Sequence, residues 1–124
     1  MKLPESVENY LETIFVLAQH GQAVRAVDIA KHLNYSKPSV SVAMKNLRVS
    51  GYIVVDDKGH ITLTVTGRQI AQNMYDRHTL ITHWLISLGV DAETAAQDAC
   101  GMEHSISEAS FLAIQQHISC TDCL

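Results

Sequence analysis

The stretch Ala26–Thr64 reads AVDIAKHLNYSKPSVSVAMKNLRVSGYIVVDDKGHITLT, and its order of local signals decides the fold. Ala26–Leu33 predicts a short helix, and Asn34-Tyr35 a turn that ends it. Ser36 can cap the next helix with its hydroxyl, and Pro38 suits the first turn, where a missing N–H costs nothing. That helix is expected to run to about Ser50 and stop at Gly51, burying Val40, Ala43, Met44 and Leu47. Tyr52-Ile53-Val54-Val55 and His60-Ile61-Thr62-Leu63-Thr64 flank the turn Asp56-Asp57-Lys58-Gly59, which predicts a β-hairpin. Short helix, tight turn, helix and hairpin together make a winged helix-turn-helix.

Outward from this stretch the pattern is helical. Val7, Tyr10, Leu11, Ile14, Phe15, Leu17 and Ala18 recur at helical spacing between Glu5 and His20, with Gly21 as a stop. Thr66-Gly67 opens a long helix to about Leu88, ended by Gly89. Asp91 can cap a helix to about His104, and Ser107 one to about Ile118. The expected fold class is mainly α. A winged helix-turn-helix domain with a small hairpin wing occupies residues 1–65, and an α-helical domain occupies 66–124.

The chain has 124 residues, 47% of them hydrophobic and 18% charged, which fits a folded chain rather than a disordered one. No apolar run reaches the roughly 20 residues that span a bilayer, and the first residues lack the apolar core of a signal peptide. The cysteines are three, Cys100, Cys120 and Cys123, an odd number that argues against a disulfide framework. A cytoplasmic protein without a membrane partner is expected.

The net charge of −4 argues against a nucleic-acid partner until its distribution is seen. All nine Lys and Arg residues lie at or before Arg77; from His78 onward there are none, but six acids. The first half can approach a polyanion and the second can hold cations. On the second helix of the helix-turn-helix, Lys37, Ser39, Ser41, Val42, Lys45 and Arg48 point away from the expected core. Lys37, Lys45 and Arg48 can attract the phosphate backbone, Ser39 and Ser41 can donate to phosphates or base edges, and Val42 can meet a thymine methyl. Arg25 and Lys58, at the wing tip, would flank the same face. Double-stranded DNA is the expected partner.

Cys100, Glu103 and His104 stand at i, i+3 and i+4, so a thiol, a carboxylate and an imidazole share one helix face. All three bind transition metals. Glu12 and His78 are further candidates, although spacing alone does not bring them to the same place. His83 stands about 140° round the helix from His78 and is not expected to join it. His20, His32, His60 and His117 have no donor partner at useful spacing and are expected at the surface. Cys120-Thr121-Asp122-Cys123 is a single C-x-x-C, a weak zinc signal.

The chain resembles the diphtheria toxin repressor family of metal-dependent transcriptional repressors, which includes manganese transport regulators. The resemblance is carried by Glu8-Asn9-Tyr10-Leu11-Glu12-Thr13-Ile14, Ser36-Lys37-Pro38-Ser39-Val40-Ser41, Leu63-Thr64-Val65-Thr66-Gly67-Arg68, Arg77-His78 and Cys100-Gly101-Met102-Glu103-His104. These stretches occur in order along nearly the whole chain. The resemblance implies a homodimer that binds a palindromic operator when a divalent metal is bound, with residues 66–124 as the metal-binding and dimerisation domain. It implies metal ligands at Glu103, His104, His78 and Glu12. Cys100 falls where the iron-responsive branch has cysteine and the manganese branch glutamate. Asn9 falls on a ligand position where those branches have methionine and aspartate. Val42 falls where the iron branch has a base-contacting glutamine, so a different operator read is expected. In length the chain looks like the two-domain manganese type, so the SH3-like third domain of the iron branch is not expected.

A soft thiolate at Cys100 favours ferrous iron, with manganese second. Two rivals from other classes stay open at this point. One is a metal-independent winged-helix adaptor; the other is a small metalloenzyme using Cys, Glu and His, although the sequence offers no nucleophile turn or phosphate loop.

Overall fold

A computed structural model describes residues 3–122, with side chains described as far as Ser119. The Cys120/Cys123 pair therefore lies outside the described side chains. The element order is α1 (Glu5–Gln19), α2 (Ala26–Leu33), α3 (Lys37–Val49), β1 (Ile53–Val55), β2 (Ile61–Leu63), α4 (Val65–Ser87), α5 (Ala92–Ser105) and α6 (Glu108–Asp122). The mainly helical winged helix-turn-helix architecture read from the sequence is present. By internal contacts the chain divides inside α4, into a unit up to Asn73 and a unit from Met74.

The first unit is built on one core. Leu11, Ile14 and Phe15 of α1, Ile29 and Ala30 of α2, Val40, Met44 and Leu47 of α3, and Ile53 and Ile61 of the wing are all buried. Ala43 was expected on the buried face but is only half-buried. Val40, Met44 and Leu47 form one stripe at i, i+4 and i+7, and Ala43 lies at its margin. Ser36 caps α3 as expected, its Oγ accepting the Ser39 N–H at 3.3 Å. The turn before it needs Asn34 in the left-handed region, at φ 58° and ψ 44°, a conformation that asparagine tolerates better than most residues.

The wing pairs β1 and β2 antiparallel, with Val54 opposite Thr62. Just before α2, Val24 forms a single antiparallel bridge to Ile61, whose N–H donates to the Val24 carbonyl at 2.7 Å. After the wing, the Thr64 hydroxyl donates to the Gly51 carbonyl at 2.8 Å and accepts the Gly67 N–H at 3.2 Å. Gly67 lies so close to the Tyr52 carbonyl that any Cβ would collide with it. Here the first turn of α4 and the start of the wing meet backbone to backbone, which only glycine permits.

In the second unit, Asp91 caps α5, its Oδ2 accepting the Thr94 N–H at 3.0 Å. That hydrogen bond to the charged form holds the Asp91 carboxyl below its ordinary value. Ser107 caps α6, its Oγ accepting the Ser110 N–H at 3.1 Å. The last helix runs about a turn past the expected Ile118, because Ser119–Asp122 contains no Gly or Pro to stop it. Met74 and Ile81 of α4, Ala95 and Ala99 of α5 and Phe111 of α6 are buried. No helix among the described residues is long and apolar enough to cross a membrane.

Candidate metal centre and nucleic-acid face

The donor cluster of the second unit grows from helical periodicity. Cys100, Glu103 and His104 occupy one face of α5, and their donor atoms lie within 4.8 Å of one another. Glu103 is fully buried, His104 is 2% exposed, and Cys100 faces solvent. From α4, His78 brings Nδ1 to 3.1 Å from Glu103 Oε2, while His104 Nε2 stands 3.2 Å from Glu103 Oε1. The carboxylate is thus flanked by two imidazoles on a protein interior. A buried anion is costly unless a cation or shared proton compensates it. An oxygen, a nitrogen and a thiol donor at this spacing form a mixed set that fits a first-row transition ion, and His78 Nδ1 stands on the other oxygen of Glu103. His83 is exposed, as expected of a residue on another side of α4.

Glu12 and Asn9 both lie on α1 in the first unit, each half-buried. Within the second unit Glu103 is the shared member: Cys100 and His104 group with it on α5, and His78 meets its other oxygen from α4.

Arg77 is a residue whose role the sequence did not disclose. It is 6% exposed. One guanidinium nitrogen donates to the main-chain carbonyls of Glu103 and Ile106, at 3.0 and 2.8 Å. Another donates to Glu108 Oε2 at 3.0 Å, and the group lies 5.2 Å from the Phe111 ring centre. The last carbonyls of a helix have no partner within it. Arg77 supplies one for the end of α5 and ties it to the start of α6, beside the donor cluster. The available signal was its place with Met74 and Ile81 on one helical stripe, where an arginine is out of keeping.

The candidate nucleic-acid face belongs to the first unit. Lys37, Ser39, Ser41, Val42, Lys45 and Arg48 are all exposed on α3, and Val42 keeps 61% of its surface in water. Lys58 is exposed in the wing turn, and Arg25 is exposed at the start of α2. His60 departs from expectation. It is half-buried and has partners: Asp56 Oδ2 lies 3.3 Å from its Nδ1, and Arg25 Nη2 3.2 Å from its Nε2. The hairpin turn folds Asp56 back on His60, so spacing i, i+4 acts here without a helix.

The family model described as the iron-dependent repressor N-terminal DNA-binding domain matches residues 2–61. That of the iron-dependent repressor metal-binding and dimerisation domain matches residues 64–120. Transcriptional regulator MntR of Salmonella typhimurium is 37% identical over 117 residues, covering 91% of this chain and 74% of that protein. MntR of Escherichia coli O157:H7 is 36% identical over 104 residues, covering 84% and 67%. Among solved structures, that of the manganese regulator SloR is similar at a TM-score of 0.81 and 25% identity. The match covers 91% of this chain and 53% of SloR, so the chain spans about half the length of that protein.

Proposed function

This chain belongs to the diphtheria toxin repressor family of metal-dependent transcriptional regulators, and on that premise we propose that it is a repressor that binds operator DNA as a homodimer when loaded with a divalent transition metal. Its task would be iron or manganese homeostasis. The observation that carries the reading is the Glu103 carboxylate, fully buried between His78 and His104 with the Cys100 thiol alongside. Cys100, Glu103, His104 and His78 are the proposed ligands, joined on sequence grounds by Glu12 and Asn9. A bound divalent cation would neutralise the carboxylate and thiolate charge that this cluster gathers. The functional division proposed is DNA reading by residues 1–65 and metal binding with dimerisation by 66–124.

The choice of ion has two supports that point apart. The thiolate of Cys100 is softer than a carboxylate, which favours ferrous iron. Among the similar solved structures is that of the manganese regulator SloR, a kinship that favours manganese and lends the iron preference no support. Ferrous iron is proposed from the donor chemistry, with manganese as the second reading from kinship. The test is DNA binding against each free metal ion at fixed salt, without oxygen. Binding unaffected by every ion would defeat the metal-dependent reading and favour the adaptor.

The homodimer is proposed from the apolar surface that the second unit keeps in water: Ile86 is 42% exposed, Leu88 64% and Leu112 44%. A two-fold dimer would match the two half-sites of a palindrome. Sedimentation at micromolar concentration with metal present should give a dimer, and a monomer there would refute it.

A further inference from the structure

We infer that His60 and Asp56 of the wing are positioning residues that aim Arg25 at DNA. The inference rests on the DNA-reading function proposed above. Its starting point is the Val24–Ile61 bridge, which makes Arg25 and His60 neighbours across two antiparallel segments. Val24 is 3% exposed and Ile61 4%. Side chains alternate along extended chain, so a buried pair sends the next residues to the opposite, outer side. Arg25 and His60 are those residues, and there Arg25 Nη2 meets His60 Nε2 at 3.2 Å.

The imidazole is itself held. Asp56 Oδ1 accepts the backbone N–H groups of Lys58 and His60, at 2.9 and 2.8 Å. These bonds hold the Asp56 carboxyl below its ordinary value and fix its direction. Its other oxygen, Oδ2, faces His60 Nδ1 at 3.3 Å. A carboxylate can only accept and a guanidinium can only donate. The arrangement therefore assigns the proton to Nδ1, leaving the Nε2 lone pair to accept from Arg25. At its other end Arg25 is anchored by its own N–H, which donates to Asp28 Oδ2 at 2.9 Å in the cap of α2. One guanidinium edge is engaged by the wing, and the remaining N–H donors stay available for a phosphate. A flexible arginine thereby enters the encounter already ordered.

A double-mutant cycle on the full chain tests this, with manganese present and a labelled mixed-sequence DNA duplex as probe at several salt concentrations. Arg25→Ala should weaken binding and lower the salt slope by about one. His60→Ala should weaken it by about threefold, the scale of an exposed charged hydrogen bond, and should add nothing in the Arg25→Ala background. His60→Gln restores a side-chain acceptor and should recover most of the loss. Additive effects of Arg25→Ala and His60→Ala, or a His60→Gln no better than His60→Ala, would overturn the inference while DNA binding stands. A wild type without salt-dependent binding would overturn both this inference and the DNA-reading function beneath it.

Discussion

The two units place their proposed functional side chains in opposite settings. In the first, Lys37, Ser39, Ser41, Val42, Lys45, Arg48 and Lys58 stand in water over an apolar core. In the second, Glu103, His104 and Arg77 are themselves part of the interior. Exposed cations act on a polyanion at a distance and are screened by salt. Buried donors act only at fixed geometry, and the fold must supply that geometry. Function and stability should therefore separate in the first unit and be joined in the second.

Arg77→Met puts the dependence of the second unit on its interior to the severest test. It leaves the Glu103 and Ile106 carbonyls without their guanidinium and should cost about 3 kcal/mol of stability, read by denaturant unfolding. A loss below about 1 kcal/mol would show that the second unit does not depend on its buried polar groups. Glu103→Gln sharpens the same point, because it keeps the shape and removes the charge. At a metal concentration of 100 times Kd, wild type should gain about 2.7 kcal/mol of stability, and the variant should gain little. An equal gain in both, followed by thermal unfolding, would remove Glu103 from the site. The smallest stability effect belongs to the first unit. Lys37→Ala, Lys45→Ala and Arg48→Ala should each change stability by less than about 0.5 kcal/mol. Each should still weaken binding to every DNA sequence and lower the salt slope by about one. Unchanged slopes for all three would take α3 out of the interface.

What the sequence disclosed was local. Ser36, Asp91 and Ser107 mark helix starts because a cap is made within four residues. Cys100, Glu103 and His104 are legible as a set because one helix face gathers them. His78 was a metal candidate by residue type and family resemblance, and its 3.1 Å approach to Glu103 depends on how α4 packs on α5. The bonds of Arg77 to the Glu103 and Ile106 carbonyls, the contact of Gly67 with Tyr52 and the bond from Arg25 to His60 join residues far apart in sequence. Periodicity carries no signal for such pairs. Ala43 shows the same limit on a smaller scale: helical spacing finds the apolar stripe but not where its margin meets water.

On the function proposed, metal held by Cys100, Glu103, His104 and His78 controls DNA binding. Its most direct test is anaerobic titration of DNA binding against free ferrous and manganous ions, for wild type and Cys100→Glu, on a duplex selected by the wild-type protein. Either ion should tighten wild-type binding by about 5- to 150-fold, the usual range of coupling between two sites. Ferrous iron should act at the lower free concentration, and Cys100→Glu should shift the preference towards manganese. Binding equal with metal and with chelator would contradict the account. Wild type responding first to manganese, with Cys100→Glu unchanged, would contradict the part assigned to Cys100.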